Sequence, residues 1–184
     1  MLFVIAAPSG AGKTTIVKNI LKDNPSFIFS ISATTRIRRK NEKDGSDYFF
    51  FSKDEFEKKI SNNELVEYEI VFNGEYYGTL RSFVEQNLSN NVNVIFDIDV
   101  NGALNIKKIY GKNAALIFIK PPDIETLKER LKKRATESPE QINERIKRVD
   151  LEIGKANEFD YIVVNDNLEK AVSEVQTIIN NFNK

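Results

Sequence analysis

Short apolar runs recur along the chain, and they lack the alternation of polar and apolar residues that marks a half-exposed strand. The runs cover residues 2–7, 92–98, 114–119 and 161–164. Strands that are apolar throughout are typical of a parallel sheet with helices on both faces. Stretches with helical periodicity lie between or after these runs, over residues 13–22, 81–88, 123–134, 140–156 and 168–181. The pattern predicts an α/β fold with a parallel sheet flanked by helices.

The segment from about residue 32 to residue 80 interrupts this rhythm. Residues 47–51 and 65–72 predict short strands, and Asn73-Gly74 favours a hairpin turn. Ser52 and Glu55 form a capping box ahead of a short helix. We interpret the segment as a small mixed α/β lobe inserted into the core. A second irregular stretch, residues 135–139, separates two charged helices and predicts a short helical lid.

The length of 184 residues suits a single domain. Within it we expect a core of residues 1–31, 81–125 and 156–184, the lobe at about 32–80, and the lid region at about 126–155.

Composition excludes several kinds of chemistry. The chain has no cysteine and no histidine, which removes thiol nucleophiles, imidazole bases, iron–sulfur clusters and the usual zinc sites. Its 27 basic and 27 acidic residues balance, so a general attraction to nucleic acid is not expected. The amino terminus lacks a basic leader, and no apolar stretch approaches the roughly 20 residues of a membrane span. We expect a cytoplasmic protein that binds neither nucleic acid nor a membrane.

The first apolar run leads into a phosphate-binding motif. Residues 7–14 read Ala-Pro-Ser-Gly-Ala-Gly-Lys-Thr, a P-loop with alanine in place of the usual first glycine. A P-loop wraps backbone N–H groups around phosphates, its lysine reaches the β and γ phosphates, and its hydroxyl binds Mg²⁺. The motif predicts a P-loop NTPase core rather than an ordinary glycine-rich turn. The predicted ATP-binding residues are Ser9, Gly10, Ala11, Gly12, Lys13, Thr14 and Thr15.

A second apolar strand ends in two acids, Asp97 and Asp99, that alternation places on one side. Ligands of open α/β sheets lie beyond the carboxyl ends of the strands, where these acids fall. One could join the metal shell and the other could accept a hydrogen bond from a substrate; solvated strand-end acids are the alternative. The metal candidates are Thr14 and Asp97, the latter directly or through water. Residues 99–102 also match the Asp-x-x-Gly of GTP-binding switch proteins, but no Asn-Lys-x-Asp follows.

Arginines concentrate in two places. One cluster lies in the lobe, at Arg36, Arg38 and Arg39, and the other flanks the predicted lid, at Arg130, Arg134, Arg145 and Arg148. Guanidinium groups bind phosphates bidentately and stay charged. We predict that one cluster holds an acceptor phosphate and that the other closes over the phosphoryl group in flight. For a lid arginine, pairing with Glu129 or Glu144 is the alternative.

Together these residues resemble the guanylate kinase family over nearly the whole chain. Besides the P-loop, the likeness is carried by residues 30–36, Arg39, Glu42 and residues 45–50, 76–79, 97–99 and 165–168. The resemblance implies an ATP:GMP phosphotransferase that uses Mg²⁺ with ATP, takes GMP and, as a further candidate, dGMP, and carries its lid at residues 134–140.

The resemblance also implies residue roles. It assigns the GMP phosphate to Arg36, Arg39, Tyr48 and Tyr77, and it assigns guanine to Ser32, Glu67, Thr79 and Asp99, with Gly78 beside them. It implies that the catalytic cations are Lys13, Arg36, Arg130, Arg134 and Arg145. Aromatic packing for the tyrosines and an exposed strand acid for Glu67 remain as alternatives.

The chemistry of the substrates agrees with these roles. Guanine presents N1–H and a 2-amino group as donors on one edge, which carboxylates at Glu67 and Asp99 can accept. Adenine lacks that donor pair, so AMP would be rejected. The acceptor phosphate is already ionised at neutral pH, so no general base is required and the absence of histidine is no obstacle.

The chain departs from the family pattern at four places. Ala7 and Ala135 replace glycines, residues 37–42 lack the usual prolines and carry Arg38 as an extra cation, and the loop at 72–76 is one residue longer. Two other functions compete: a P-loop kinase with another acceptor, and a non-catalytic binding module of the same fold. Retention of Lys13, Thr14 and the lid arginines favours an enzyme.

Overall fold

The computed structural model describes residues 1–70, 74–123, 125–127 and 149–182. In chain order its strands are β1 (Leu2–Ala6), β2 (Ile28–Phe29), β3 (Ala33–Thr34), β4 (Phe49–Phe50), β5 (Leu65–Ile70), β6 (Tyr76–Leu80), β7 (Val94–Ile98), β8 (Ala114–Lys120) and β9 (Tyr161–Val164). The helices are α1 (Lys13–Asp23), α2 (Lys53–Ser61), α3 (Arg81–Ser89), α4 (Val100–Tyr110) and α5 (Leu168–Phe182). Residues 125–127 and 149–154 are also helical. Short 3₁₀ turns lie at Gly111–Asn113 and Ala156–Glu158.

The larger sheet has five parallel strands in the order β2-β7-β1-β8-β9. Every residue of β1 is buried, because helices cover both faces of the sheet. On one face α1 and α5 contribute apolar side chains such as Ile16, Val17 and Ile179. On the other face α3 and α4 contribute Val84 and Ile106. The prediction of a parallel sheet flanked by helices is confirmed, and the carboxyl ends of its strands share one edge, where ligands of such sheets bind.

A second sheet, in the order β4-β3-β6-β5, is built from residues 33–80. It is mixed: β3 pairs with β4 in parallel, while β6 lies antiparallel to both β3 and β5. Its small core centres on Ala33, Phe56 and Leu65. Helix α2 begins at the predicted capping box, in which the Ser52 N–H donates to Glu55 and the Glu55 N–H donates to Ser52 Oγ. Gly74, between β5 and β6, has a positive φ of 74°, which glycine adopts without steric cost; Asn73, the other residue of the predicted turn, lies outside the described residues.

Several element predictions need correction. Helix α4 was not predicted at all, nor were the two-residue strands β2 and β3. The strand expected at 92–98 begins at Val94, because the Val92 N–H still donates to Asn87 in the turn that follows α3. The strand expected at 47–51 covers only Phe49–Phe50. The predicted helices 123–134 and 140–156 lie largely outside the described residues; the second ends at residue 154, before the 3₁₀ turn.

No helix in the described part of the chain is both long and apolar enough to cross a bilayer.

Candidate active site

The P-loop connects the end of β1 to the start of α1. Gly10 and Gly12 have φ values of 89° and 91°, a region that glycine reaches without steric cost. Gly12 caps α1, and its carbonyl accepts the N–H groups of Thr15 and Ile16. The N-terminus of α1, with its positive dipole end, is therefore presented beyond the carboxyl end of the sheet. Ser9 lies in the preceding turn, and Ala11 is fully buried.

Asn165 braces the P-loop from the end of β9, a contact that the sequence did not predict. Its Nδ2 donates to the Ala11 carbonyl at 2.7 Å, and its backbone N–H donates to Lys120 at 2.8 Å. The side chain is buried and leaves no room for a larger residue at Gly12, where a Cβ would lie 2.4 Å from Asn165 Nδ2. Asn165 belongs to a stretch that carried the family resemblance, but no motif assigned it a role.

Lys13, Thr14 and Asp97 meet at the end of the P-loop. The Thr14 hydroxyl donates to Asp97 Oδ2 at 2.7 Å, and the Lys13 ammonium forms an ion pair with Asp97 Oδ1. Burial lowers the pKa of Lys13 to about 8, although the carboxylates of Asp99 and Glu152 oppose that shift. Lys13 thus stays mainly cationic at neutral pH. Asp97 is only 12% exposed, so it is not a solvated strand-end acid.

Glu67 lies on β5 opposite Thr79 of β6. It is only 7% exposed, and the buried Thr79 hydroxyl donates to its Oε1 at 2.6 Å. Burial raises the pKa of Glu67 to about 7; the Thr79 hydrogen bond opposes that shift, and the charge of Asp99 adds to it. The alternative that Glu67 is an exposed strand acid is wrong. Thr79 donates to Oε1, so Oε2 of this buried carboxyl can accept a hydrogen bond from a ligand.

Asp99 follows β7 as the N-cap of α4, so strand alternation does not set its direction. Its Oδ1 accepts the N–H groups of Asn101 at 2.8 Å and Gly102 at 3.2 Å. Capping of this kind fixes the carboxylate at the start of the helix. Asp97 and Asp99 nevertheless line one cavity, as expected from their position at the end of the strand.

Arg36 is held in place from several sides. Its Nη2 and Nη1 donate to the two carboxylate oxygens of Glu42 at 2.8 and 3.1 Å, and its Nε donates to the Tyr77 hydroxyl at 3.1 Å. The guanidinium also lies 5.2 Å from the centre of the Tyr48 ring. The bond to Glu42 raises the pKa of Arg36 further and lowers the pKa of Glu42. This network fixes a permanent cation at the mouth of the lobe.

The aromatic rings and the remaining arginines complete the lobe. Tyr48 and Tyr77 pack edge to face, with ring centres 6.0 Å apart, so the expected aromatic packing coexists with the polar contact to Arg36. Arg39 is exposed, and its backbone N–H donates to Glu42 at 2.8 Å. Glu42 thereby links the two arginines. It was among the residues that carry the family resemblance, but no role was predicted for it.

One cavity of about 220 Å³ joins the two groups of residues. From the core it is lined by Lys13, Asp97, Ile98 and Asp99. From the lobe it is lined by Ser32, Tyr48, Glu67, Glu69, Tyr77 and Gly78. Glu69 was not predicted. Arg36 and Thr79 do not line it but donate hydrogen bonds to two residues that do, Tyr77 and Glu67. The predicted residues Arg130, Arg134 and Arg145 lie outside the described part of the chain.

The larger sheet is parallel and carries a P-loop at its carboxyl edge, with a lysine, a hydroxyl and a carboxylate around that loop. This arrangement defines the P-loop NTPase class. The family model for guanylate kinase matches residues 1–182. Guanylate kinases of Porphyromonas gingivalis and Bacteroides fragilis are 48% and 46% identical to this chain; each alignment covers 98% of it, and 97% and 89% of the respective relative. The chain belongs to the guanylate kinase family.

A solved structure agrees with this assignment. The crystal structure of guanylate kinase from Anaplasma phagocytophilum superposes with a TM-score of 0.76 at 30% identity, covering 98% of this chain and 84% of that one. The fold expected from the resemblance is therefore confirmed.

Proposed function

We propose that this protein transfers the γ-phosphoryl group of ATP to GMP and so forms ADP and GDP. One observation carries the proposal: a single cavity is lined on the core side by Lys13 and Asp97 of the P-loop region and on the lobe side by Glu67 and Tyr77. The cavity thus brings groups that can bind phosphate and carboxylates that can accept the donors of guanine to the same space between core and lobe. Membership of the guanylate kinase family supports the same reaction.

On the donor side, backbone N–H groups of residues 9–15 and the start of α1 would bind the phosphates of ATP. Lys13 would leave its ion pair with Asp97 to neutralise the β and γ phosphates. Thr14 and Asp97 fit a Mg²⁺ ion, because they supply a hydroxyl and a carboxylate oxygen 2.7 Å apart and Mg²⁺ takes its other ligands from phosphates and water. When bound, Mg²⁺ would supply charge neutralisation to the transferring group.

On the acceptor side, the lobe would hold GMP at both ends. Its phosphate would be bound by Arg36, Arg39, Tyr48 and Tyr77. Because Glu42 and Tyr77 already hold the Arg36 side chain in place, that side chain loses little conformational freedom when GMP binds. At the other end, Glu67 and Asp99 would accept the guanine N1–H and 2-amino donors. Hydroxyls of Ser32 and Thr79 and the backbone at Gly78 would complete the base pocket.

The transfer itself requires alignment and charge stabilisation. An ionised phosphate oxygen of GMP attacks the γ phosphorus, the bond from that phosphorus to the β,γ-bridging oxygen breaks, and ADP leaves with the electron pair. Lys13 and Arg36 stabilise the charge on the transferring group in a site that excludes water. We extend this role to Arg130, Arg134 and Arg145 of the proposed lid at about residues 126–155.

The proposed division of the chain follows from these roles. Residues 1–31, 81–125 and 156–184 would form the core that binds ATP, and the lobe of about residues 32–80 would carry GMP. The cytoplasmic location stays a prediction.

The test is an acceptor panel. ADP formation from ATP and Mg²⁺ is measured with GMP, dGMP, AMP, UMP and dTMP offered separately. We expect turnover with GMP, with or without dGMP, that Lys13→Ala abolishes. Lys18→Ala, which removes an exposed lysine from the same helix, serves as the matched control and should behave as wild type. A folded protein that binds ATP but turns over none of these acceptors would contradict the proposal and favour a binding module.

A further inference from the structure

We infer that Gly102 determines guanine specificity, because its missing side chain lets the two guanine-reading carboxylates lie against the first turn of α4. This inference rests on the proposed function. A Cβ built at Gly102 would lie 2.9 Å from Glu67 Oε2 and 3.3 Å from Asp99 Oδ2. Real Cβ atoms almost never approach another heavy atom to 2.9 Å.

The backbone conformation at position 102 does not require glycine. Gly102 lies in the first turn of α4, and it is not among the glycines with positive φ. In a helix, glycine costs about 1 kcal/mol relative to alanine. A helical glycine in a buried position therefore indicates that its neighbours need the space.

Glu67 and Asp99 each have one carboxylate oxygen next to the position that a Cβ of residue 102 would occupy, and in each case it is the oxygen that the proposal leaves for guanine. Glu67 receives the Thr79 hydroxyl on Oε1, and Oε2 faces Gly102. Asp99 caps the helix with Oδ1, and Oδ2 faces Gly102. A methyl group at position 102 would thus displace or cover the ligand-facing oxygen of both carboxylates.

Neither carboxylate can retreat freely. Glu67 is buried and held by a 2.6 Å hydrogen bond, and Asp99 is held by two backbone N–H groups. The side chains would have to give up those bonds or leave the orientation that guanine requires. Guanine binding would weaken most, because it is the base whose paired donors use both carboxylates.

The test compares Gly102→Ala with Ser173→Ala. Ser173 is exposed on α5, away from the cavity, and alanine has the higher helix propensity there too, so this variant controls for the change in helix propensity. Steady-state kinetics are measured with GMP and with IMP, which is the same nucleotide without the 2-amino group, and the KM for ATP and the melting temperature are recorded.

For Gly102→Ala we expect a KM for GMP raised about tenfold or more, the loss expected when a buried hydrogen-bonding site is disturbed. The preference for GMP over IMP in kcat/KM should fall, and the KM for ATP should stay unchanged. Ser173→Ala should match wild type in all of these kinetic measurements. A KM for GMP within about twofold of wild type, with the same preference over IMP, would overturn the inference.

A double-mutant cycle shows whether Gly102 acts through Glu67. In a Glu67→Ala background, Gly102→Ala should have a smaller effect on the KM for GMP and on the preference over IMP, because the nearer of the two colliding carboxylates is gone. An equal effect in both backgrounds would overturn the inference. If Gly102→Ala alone does not fold, recovery of folding in the double variant supports the collision and continued unfolding overturns it.

The inference and the proposed function fail in different ways. A wild-type protein that does not phosphorylate GMP contradicts both. A wild-type protein that uses GMP and shows a raised KM for GMP in Glu67→Ala, while Gly102→Ala is indistinguishable from wild type, contradicts only the role of Gly102.

Discussion

Glu67 is a buried acid whose folded-state pKa of about 7 lies above its ordinary value of 4.5. Between those two values the folded protein binds the proton and the unfolded chain releases it. Stability is therefore lost as pH rises through this window, and above pH 7 the cost is constant. The native protein retains the group because, by our proposal, the ionised carboxylate accepts the donors of guanine.

We predict that Glu67→Gln raises the free energy of unfolding relative to wild type by up to about 3 kcal/mol at pH 8, and by much less at pH 5. The glutamine oxygen can still accept from Thr79 but carries no charge to desolvate. Urea unfolding at the two pH values measures the effect. The exposed Glu85→Gln should show no such pH-dependent gain, and an equal free energy for wild type and Glu67→Gln at pH 8 would contradict the assigned cause.

Glu42 acts on the proposed acceptor phosphate through Arg36. It fixes both Nη atoms of that guanidinium and also accepts the Arg39 N–H. We predict that Glu42→Gln raises the KM for GMP by about tenfold, because glutamine has one acceptor oxygen where Glu42 offers two. One of the two bonds to the Arg36 Nη atoms is therefore lost, together with the negative charge that pairs with the guanidinium. The KM for ATP should not change.

Steady-state kinetics with each substrate varied in turn measure this effect. Glu64→Gln is the matched control, since it removes a carboxylate that pairs with Lys59 elsewhere in the same lobe. A Glu42→Gln variant with an unchanged KM for GMP would show that Arg36 needs no such support.

At the scale of elements, the β5–β6 hairpin depends on close contact at Gly78. A Cβ there would lie 2.7 Å from the Glu67 carbonyl oxygen and 3.1 Å from the Phe56 ring. Because the carbonyl belongs to a paired strand, it cannot move without disturbing the sheet. We predict that Gly78→Ala destabilises the protein by about 1–3 kcal/mol, as overpacking does.

The same variant should raise the KM for GMP and leave ATP binding intact, since the hairpin carries Glu67 and Tyr77 but not the P-loop. Thermal unfolding and the two KM values are measured for Gly78→Ala and for the control Ser173→Ala. A stable Gly78→Ala variant with normal GMP kinetics would mean that the hairpin relaxes without cost.

The contact between β9 and the P-loop couples two elements that are distant in sequence. Asn165→Asp would set a carboxylate oxygen against the Ala11 carbonyl in place of the donating Nδ2. A buried acceptor facing another acceptor costs about 1–3 kcal/mol. We therefore predict a KM for ATP raised about tenfold, with the KM for GMP nearly unchanged.

Asn113→Asp controls for the new charge, because Asn113 is exposed and precedes β8 at the opposite edge of the sheet. Equal KM values for ATP in wild type and Asn165→Asp would show that the P-loop holds its shape without the brace.

Local patterns predicted the elements that are long and uniformly apolar, and they failed where structure depends on distant contacts. Helix α4 was missed because its first turn contains Val100, Asn101 and Gly102, which are poor helix formers; the Asp99 cap and burial against the sheet stabilise it instead. Strands β2 and β3 have two residues each, too few for any periodicity.

The residues of the site likewise divide into those that a contiguous motif predicts and those that depend on distant contacts. The P-loop is a contiguous string and was predicted directly, whereas Glu67 and Thr79 were assigned roles through the family resemblance alone. The contact between Asn165 and Ala11 spans 154 residues, so no local pattern could have predicted it. The roles of Glu67 and Asn165 in substrate binding are proposals, which the variants at these two positions test.

At the scale of the whole molecule, a chain with no net charge carries cations in both the core and the lobe. Lys13 lines the cavity from the core, and Arg36 and the exposed Arg38 and Arg39 belong to the lobe. We propose that the γ phosphate of ATP meets the phosphate of GMP between these two groups of cations.

The most direct measurement follows the phosphoryl group itself. The protein is incubated with Mg²⁺, GMP and ATP labelled at the γ phosphate, and the products are separated. We predict that the label appears in the β phosphate of GDP, in amounts equal to the ADP formed, and that Lys13→Ala forms no labelled GDP. Label released as inorganic phosphate, or ATP consumed at the same rate without GMP, would contradict it.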